Sequence, residues 1–299
     1  MPRLNSIPNG LWKKPTEGIM LEAMTFFLNR RKIAQKGIRF IFCINSGRAG
    51  SEYLAVLLGT ASNVHSFHEP EPQMIGDCLR SVTRNGLQKT YSDRRVKSKA
   101  IVKVASQYPD QSTYIETNHM FIKTFYDVVL QDLENVQVIH LQRDLLQTLK
   151  SFVQLCYFSD QNSAWPDWMI SPNAQTAVIK AIADDDKLDY IDLGIAYLID
   201  IEARAAAFHQ KYPQIPFYET DINDLNDLEK VKTLFTDLGL LFTPETEKII
   251  GEKVNQRNNV KKEYAKQISN DQLAERIRIY LHSGQRMGIK FPGRVLKYL

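Results

Sequence analysis

The sequence predicts an α/β protein, with a central, mainly parallel sheet flanked by helices on both faces. Three observations predict it. Short runs rich in Ile, Val, Phe and Thr recur along the chain, at 38–44, 63–67, 100–104, 113–116, 136–141 and 215–218. Stretches with apolar residues at helical spacing alternate with most of them. The strongest run, 38–44, opens into a turn of small residues, Asn45-Ser46-Gly47-Arg48-Ala49-Gly50-Ser51, just ahead of a helical stretch.

Taken in order, residues 1–37 read as a polar leader followed by a helix at 18–31. Residues 38–299 read as one domain. The run 38–44 suits a buried strand. After the turn, Tyr53, Leu54, Val56, Leu57 and Leu58 recur at helical spacing, and Gly59 is the stop. Residues 63–67 form a strand candidate that ends at His68-Glu69-Pro70-Glu71-Pro72, where the prolines bar a helix. A helix is expected over 74–84, a charged, solvated stretch over 90–99, strands at 100–104 and 113–116, and a helix over 119–130. The strand at 136–141 leads to a helix at 144–156 with Asp144 as its cap. Residues 158–186, with Trp165, Trp168 and the acidic run Asp184-Asp185-Asp186, read as an irregular cap or insertion. A long helix follows at 188–212 through Ile191, Ile195, Leu198 and Ile199, then a strand at 215–218 and a helix at 228–238. A polar, basic segment at 251–264 precedes a closing helix at 272–281.

Composition sets outer limits. The 299 residues are 43% hydrophobic and 24% charged, ordinary globular values. A formal net charge of +4 is too small to imply nucleic acid and fits a local basic site for an anionic ligand. No run is long and apolar enough for a membrane span. The N-terminus lacks the apolar core of a secretory signal. Cys43, Cys78 and Cys156 are scattered, with neither metal-ligand spacing nor a disulfide framework, which points to a cytoplasmic setting. Oligomeric state is not legible.

Three constellations could carry chemistry. The first is the turn itself. Strand, glycine-bearing turn and helix together aim backbone N–H groups and a helix dipole at an anion. No lysine follows Gly50, so the turn is not a Walker A loop, and the cation is Arg48, which can grip phosphate oxygens in pairs. An ordinary turn with a surface arginine would read the same. The second is Arg143, just past a strand, with Ser151 about two helical turns later. Together they suit a second phosphate at the carboxyl edge of the sheet; a pairing of Arg143 with Asp144 is the plainer alternative. The third is Glu69, a carboxylate on a proline-stiffened loop that could act as a general base or simply be solvated. His65, His68 and Glu69 do not have the spacing of a zinc protease, and no metal is expected. His119, after a strand, stays open as a further candidate.

In this order the residues resemble the PAPS-dependent sulfotransferases, in particular the carbohydrate and bacterial glycolipid branch. Gly47-Arg48-Ala49-Gly50-Ser51 looks like that branch's G-R-S-G-S phosphosulfate loop, and His68-Glu69-Pro70 matches its Glu-Pro element. An apolar strand, Arg143-Asp144 and Ser151 eight positions after the arginine match its 3′-phosphate motif. Phe217-Tyr218-Glu219-Thr220 and 234–240 resemble a later strand and helix. The likeness covers about 38–242 as separated motifs. Glu52 stands where the family has a small hydroxyl residue, and Leu145-Leu146 replace a proline-containing pair.

The resemblance implies a P-loop-like three-layer fold and transfer of a sulfuryl group from PAPS to an acceptor hydroxyl, releasing PAP, with no metal required. It implies that Ser46, Gly47, Arg48, Ala49, Gly50 and Ser51, with Arg143 and Ser151, bind the nucleotide; Glu52 is counted with the loop although it removes one possible phosphate ligand, and Arg257 is counted because its basic stretch could close over the nucleotide, although that stretch does not match the family's glycine-rich signature. It implies Glu69 as the base and Arg48 as a stabiliser of the leaving phosphate; His119, kept open because it follows a strand, is with His68 the alternative base. His68, Trp165 and Trp168 would face a carbohydrate, lipid or other small-molecule acceptor. The alternatives are a P-loop kinase-like, ATP-dependent phosphotransferase and a nucleotide-binding protein without turnover.

Overall fold

A computed structural model describes residues 17–182, 188–251 and 268–299. In chain order its elements are α1 (Glu17–Gln35), β1 (Arg39–Ile44), α2 (Ser51–Leu58), β2 (Val64–Phe67), α3 (Asp77–Lys89), α4 (Tyr91–Ala105), β3 (Thr113–Glu116), a π-helical turn (Phe121–Phe125) and α5 (Tyr126–Asp132). There follow β4 (Val136–Gln142), α6 (Leu145–Gln154), α7 (Trp165–Trp168), α8 (Tyr190–Lys211), β5 (Phe217–Asp221), α9 (Leu228–Asp237), α10 (Pro244–Ile249) and α11 (Asn270–Arg286).

The five strands form one sheet in the order β2-β3-β1-β4-β5, and every pairing is parallel. The α/β class and the helix-flanked sheet are therefore as expected. The pleat of β1 explains why its sequence is a continuous apolar run: Phe40, Phe42 and Ile44 enter one core with α4, α5, α6, α8 and α11, while Ile41 and Cys43 enter a second beneath α2 and α9. With apolar layers on both faces, the strand has no side to leave polar.

Register places the site. Phe42 pairs with Glu116 and Ile44 with His140, so β1, β3 and β4 end close together. The chain leaves β1 towards β3 and β2, then crosses to β4 on the other side. Ligands of open α/β sheets bind at such a reversal, outside the carboxyl ends of the strands.

The structure corrects one stretch. Residues 100–104 are not a strand, and 90–99 are not merely solvated; 91–104 belong to α4, with Thr90 as its N-cap. The buried stripe of that helix is Arg94, Lys97, Ser98, Ile101, Val102 and Ala105, which is ideal helical spacing. Half of the stripe is polar, so apolar periodicity alone cannot find it. Arg94 is buried because Asp127 pairs with it, and Lys97 because Glu116 does, at 2.7 Å. Residues 158–182 hold only α7 and turns, with Phe158, Met169, Ile170 and Ala174 packed into the larger core.

Candidate active site

The turn after β1 is built by local hydrogen bonding. The buried Asn45 side chain accepts from the Gly47 N–H at 2.9 Å. Gly47 and Gly50 both take left-handed backbone, with φ of 77° and 92°. At Gly50 a side chain is also barred by space, since a Cβ would lie 2.3 Å from the Ile222 methyl. Arg48, with φ 57°, is left-handed without being glycine, which costs roughly 1 kcal/mol that the surrounding turn must supply. Gly50 caps α2 without a side-chain hydrogen bond, so the first turn of that helix presents backbone donors to whatever the loop holds.

The second arm reaches the loop from β4. Asp144 caps α6 by accepting from Gln147 N–H at 3.0 Å. The Tyr298 hydroxyl donates to its other oxygen at 2.5 Å, and Lys297 lies 3.3 Å away. Arg143, beside this fixed cap, donates to the Arg48 carbonyl at 2.7 Å. Arg48 Nε in turn donates to the Ser151 hydroxyl at 3.2 Å. The loop and the Arg143…Ser151 pair are thus one cluster. Two guanidiniums stand side by side, and among the described residues no carboxylate lies within ion-pair distance of either. Burial, and then the neighbouring Arg48 cation, pull the Arg143 guanidinium below its ordinary value. Such a cluster favours an anion.

The third arm comes from β2 and β3. Glu69 sits past β2 with φ 49°, its side chain only 20% exposed. Burial raises its carboxyl above the ordinary carboxylate value, and the charges of His68 and Lys123 partly offset this. His119 Nε2 lies 3.5 Å and His68 Nε2 3.8 Å from the same carboxylate oxygen. His68 Nδ1 lies 2.9 Å from the Thr117 carbonyl, which can only accept, so that nitrogen carries a proton. His119 is buried against the loop, where its Nδ1 would lie 3.4 Å from a Cβ at Gly47; burial holds it neutral, with a value well below the ordinary one. Glu116, by contrast, is fully satisfied by Lys97 at 2.7 Å, the Tyr114 hydroxyl at 2.7 Å and Asn118 at 2.9 Å, so it is a structural acid. Lys97 also donates to the Pro70 carbonyl at 2.9 Å and ties the Glu69 loop to β3.

The structure therefore gathers Ser46 to Ser51, Arg143 and Ser151 on one side, and Glu69, His68 and His119 on the other. Glu52, in the first turn of α2, adds its charge to the field at Glu69. Trp165 and Trp168 are half-buried against the larger core, with Trp165 on Phe158 at a ring separation of 4.8 Å. Arg257 lies outside the described residues. Sequence reasoning missed four groups. Tyr157 feels both Arg48 and Glu69, and burial raises its hydroxyl's pKa. Lys97, Lys123 and Tyr197 are buried partners of the site. The one available signal was Lys123, a lone cation four positions after His119 in an otherwise apolar stretch.

No family model matches the chain, and no curated protein matches it. Solved structures do. The sulfotransferase domain from the Synechococcus PCC 7002 olefin synthase shares 14% identity at a TM-score of 0.46, over 85% of this chain and 96% of that one. The sulfotransferase domain from the curacin biosynthetic pathway shares 15% at 0.45, over 85% and 99%. A sulfotransferase of Mycobacterium tuberculosis H37Rv shares 13% at 0.44, over 86% and 81%. Identity at these levels says nothing of donor or acceptor. These three solved structures are sulfotransferases.

Proposed function

We propose that the protein transfers the sulfuryl group of PAPS to an acceptor hydroxyl and releases PAP. The observation that carries this reading is the joined pair Arg48 and Arg143, bridged through the Arg48 carbonyl and the Ser151 hydroxyl, with a buried carboxylate of raised pKa across the sheet edge. A nucleotide with phosphate at both its 5′ and 3′ positions suits two adjacent cations; a raised carboxylate suits a base that works near neutral pH.

In the reaction, Glu69 takes the proton of the acceptor hydroxyl as the oxygen attacks sulfur. A new S–O bond forms, and the bond from sulfur to the 5′-phosphate oxygen breaks. Arg48, the Gly50 and Ser51 amides and the α2 dipole stabilise the charge that grows on the departing phosphate. Arg143 and Ser151 hold the 3′-phosphate and keep the donor in line with the acceptor. Trp165 and Trp168 are the proposed apolar wall of the acceptor site, and a carbohydrate or lipid is the proposed acceptor class.

Titration calorimetry of the full chain with PAP in metal-free buffer, against ATP with Mg²⁺, is the test. Binding of PAP without metal, followed by transfer in a screen of sugars, lipids and phenols, is expected. Preference for ATP with Mg²⁺ would replace this reading with phosphoryl transfer. Tight PAP binding with no turnover on the whole panel would leave a nucleotide-binding protein.

A further inference from the structure

Lys123 is the least expected group in the molecule. It is fully buried in the π-helical turn, and among the described residues no carboxylate lies within ion-pair distance. Its three partners are His119 Nδ1, the Tyr197 hydroxyl at 2.9 Å and the Trp168 carbonyl at 3.4 Å. The Tyr197 hydroxyl spends its own proton on the Ser46 carbonyl, 2.8 Å away, so it can only accept from Lys123. A carbonyl can only accept as well. An ammonium has three N–H bonds, and these three partners use them all if His119 Nδ1 is an acceptor.

That condition has a consequence at the base. With Nδ1 accepting, a neutral His119 carries its proton on Nε2, the nitrogen 3.5 Å from Glu69. The N–H then faces the ionised carboxylate. If Lys123 were a neutral amine accepting from Nδ1–H, the Nε2 lone pair would face Glu69, and the carboxyl would have to be protonated to satisfy it. The two arrangements hold the same number of protons. They differ only in whether Glu69 can act as a base.

We propose that Lys123 is a positioning residue for the sulfuryl-transfer base: its ammonium fixes the His119 tautomer and supplies the buried positive charge that keeps Glu69 ionised. This rests on the reading of Glu69 as the base. The same chain of contacts runs on through Tyr197 to the carbonyl of Ser46, so the base and the phosphate loop share one hydrogen-bonded support. Other titratable groups also face Glu69: His68 on its own loop, the neutral His119 and Glu116 from the β3 segment, and Glu52 from α2; Tyr157 and Tyr197 stand near it, and Arg204 on α8 faces Lys123. Burial favours the neutral amine, and the negative charge of Glu69 opposes it, so each charge supports the other.

The test uses the full chain, with ¹⁵N-labelled histidine and ¹³C-labelled glutamate, as wild type and as Lys123→Met. Methionine has nearly the same length and no charge; it leaves the Tyr197 hydroxyl, the Trp168 carbonyl and His119 Nδ1 without their donor, so the melting temperature should fall, and the readouts are taken where the variant is folded. The His119 signal is assigned by its loss in His119→Gln. In the wild type it should report a neutral ring protonated at Nε2. In Lys123→Met the Glu69 titration midpoint should rise by about one unit or more, the acid limb of kcat/KM should move by the same amount, and the PAP Kd should stay within about two-fold. An Nδ1-protonated His119 in the wild type, or an unmoved Glu69 midpoint in the variant, overturns the proposal. If both nuclear signatures appear in a protein that transfers no sulfuryl group, the proposed function fails and the assignment of Lys123 to Glu69 stands.

Discussion

The two sides of the cleft are built on opposite plans. On the β1–β4 side, Arg48 is exposed and Arg143 half-exposed, and their partners are a carbonyl and a hydroxyl. On the β2–β3 side, Lys97, Lys123, Glu116 and His119 are buried, and their polar atoms are met by other protein groups. The first side leaves positive charge for a ligand to neutralise. The second completes its own pairing and keeps one carboxylate in a poor solvent for ions. A nucleotide needs the former, because binding must be reversible and driven by the ligand's own charge; a base needs the latter, because its pKa is set by what excludes water.

Breaking the second side should cost most. Glu69→Gln should lower kcat by about 10²–10⁴-fold and leave PAP affinity unchanged. Since burial raises this carboxyl, the wild-type rate should be full above the raised value and fall as pH drops through it, at a pH above the ordinary carboxylate range. If Glu69→Gln stays within a few-fold while Arg48→Ala is inactive, the base is His119 or His68 and the division of labour fails. Lys97→Met should cost about 3–5 kcal/mol in urea unfolding, because it strands the fully buried Glu116. Breaking the first side should act on the ligand instead. Arg48→Ala should reduce kcat by about 10²–10³-fold, the loss seen when a preorganised donor to a developing charge is removed. Arg143→Ala should weaken PAP by about 10–100-fold, a charged hydrogen bond's worth, with acceptor KM unmoved. Equal loss of both affinities would remove the 3′-phosphate assignment. Ser151→Ala is the smallest, a few-fold weaker PAP from one neutral hydroxyl.

The same division governs what could be read before the fold was known. The β1–β4 side depends on local patterns: an apolar strand, glycines where the backbone turns left-handed, an arginine and a serine at fixed spacing. Each is written in consecutive letters, and the cluster of Arg48, Arg143 and Ser151 follows once two parallel strands are neighbours. The β2–β3 side depends on burial of charge, which has no local pattern. Lys97 reads as a surface residue until Glu116 is placed beside it, so 90–99 reads as a solvated stretch and only 100–104 as a strand, where the structure has one helix. Tyr197 occupies an apolar helix position and shows its role only through the hydroxyl's reach to Ser46. Glu69 was visible as a loop acid; its raised pKa was not.

The contacts that join the two arginine arms span great distances in the chain. Arg143 reaches a carbonyl 95 positions earlier, and Arg48 reaches a hydroxyl 103 positions later. A chain that has formed β1 and α2 but not docked β4 owns the glycine turn without the second cation, and such long-range closure comes late in folding. A nucleotide held by both cations, as proposed, would therefore recognise the finished sheet and not its precursors. At a hundredfold excess over Kd it should add about 2.7 kcal/mol to the unfolding free energy, so ligand-induced protection against proteolysis would count the molecules whose assembly is complete.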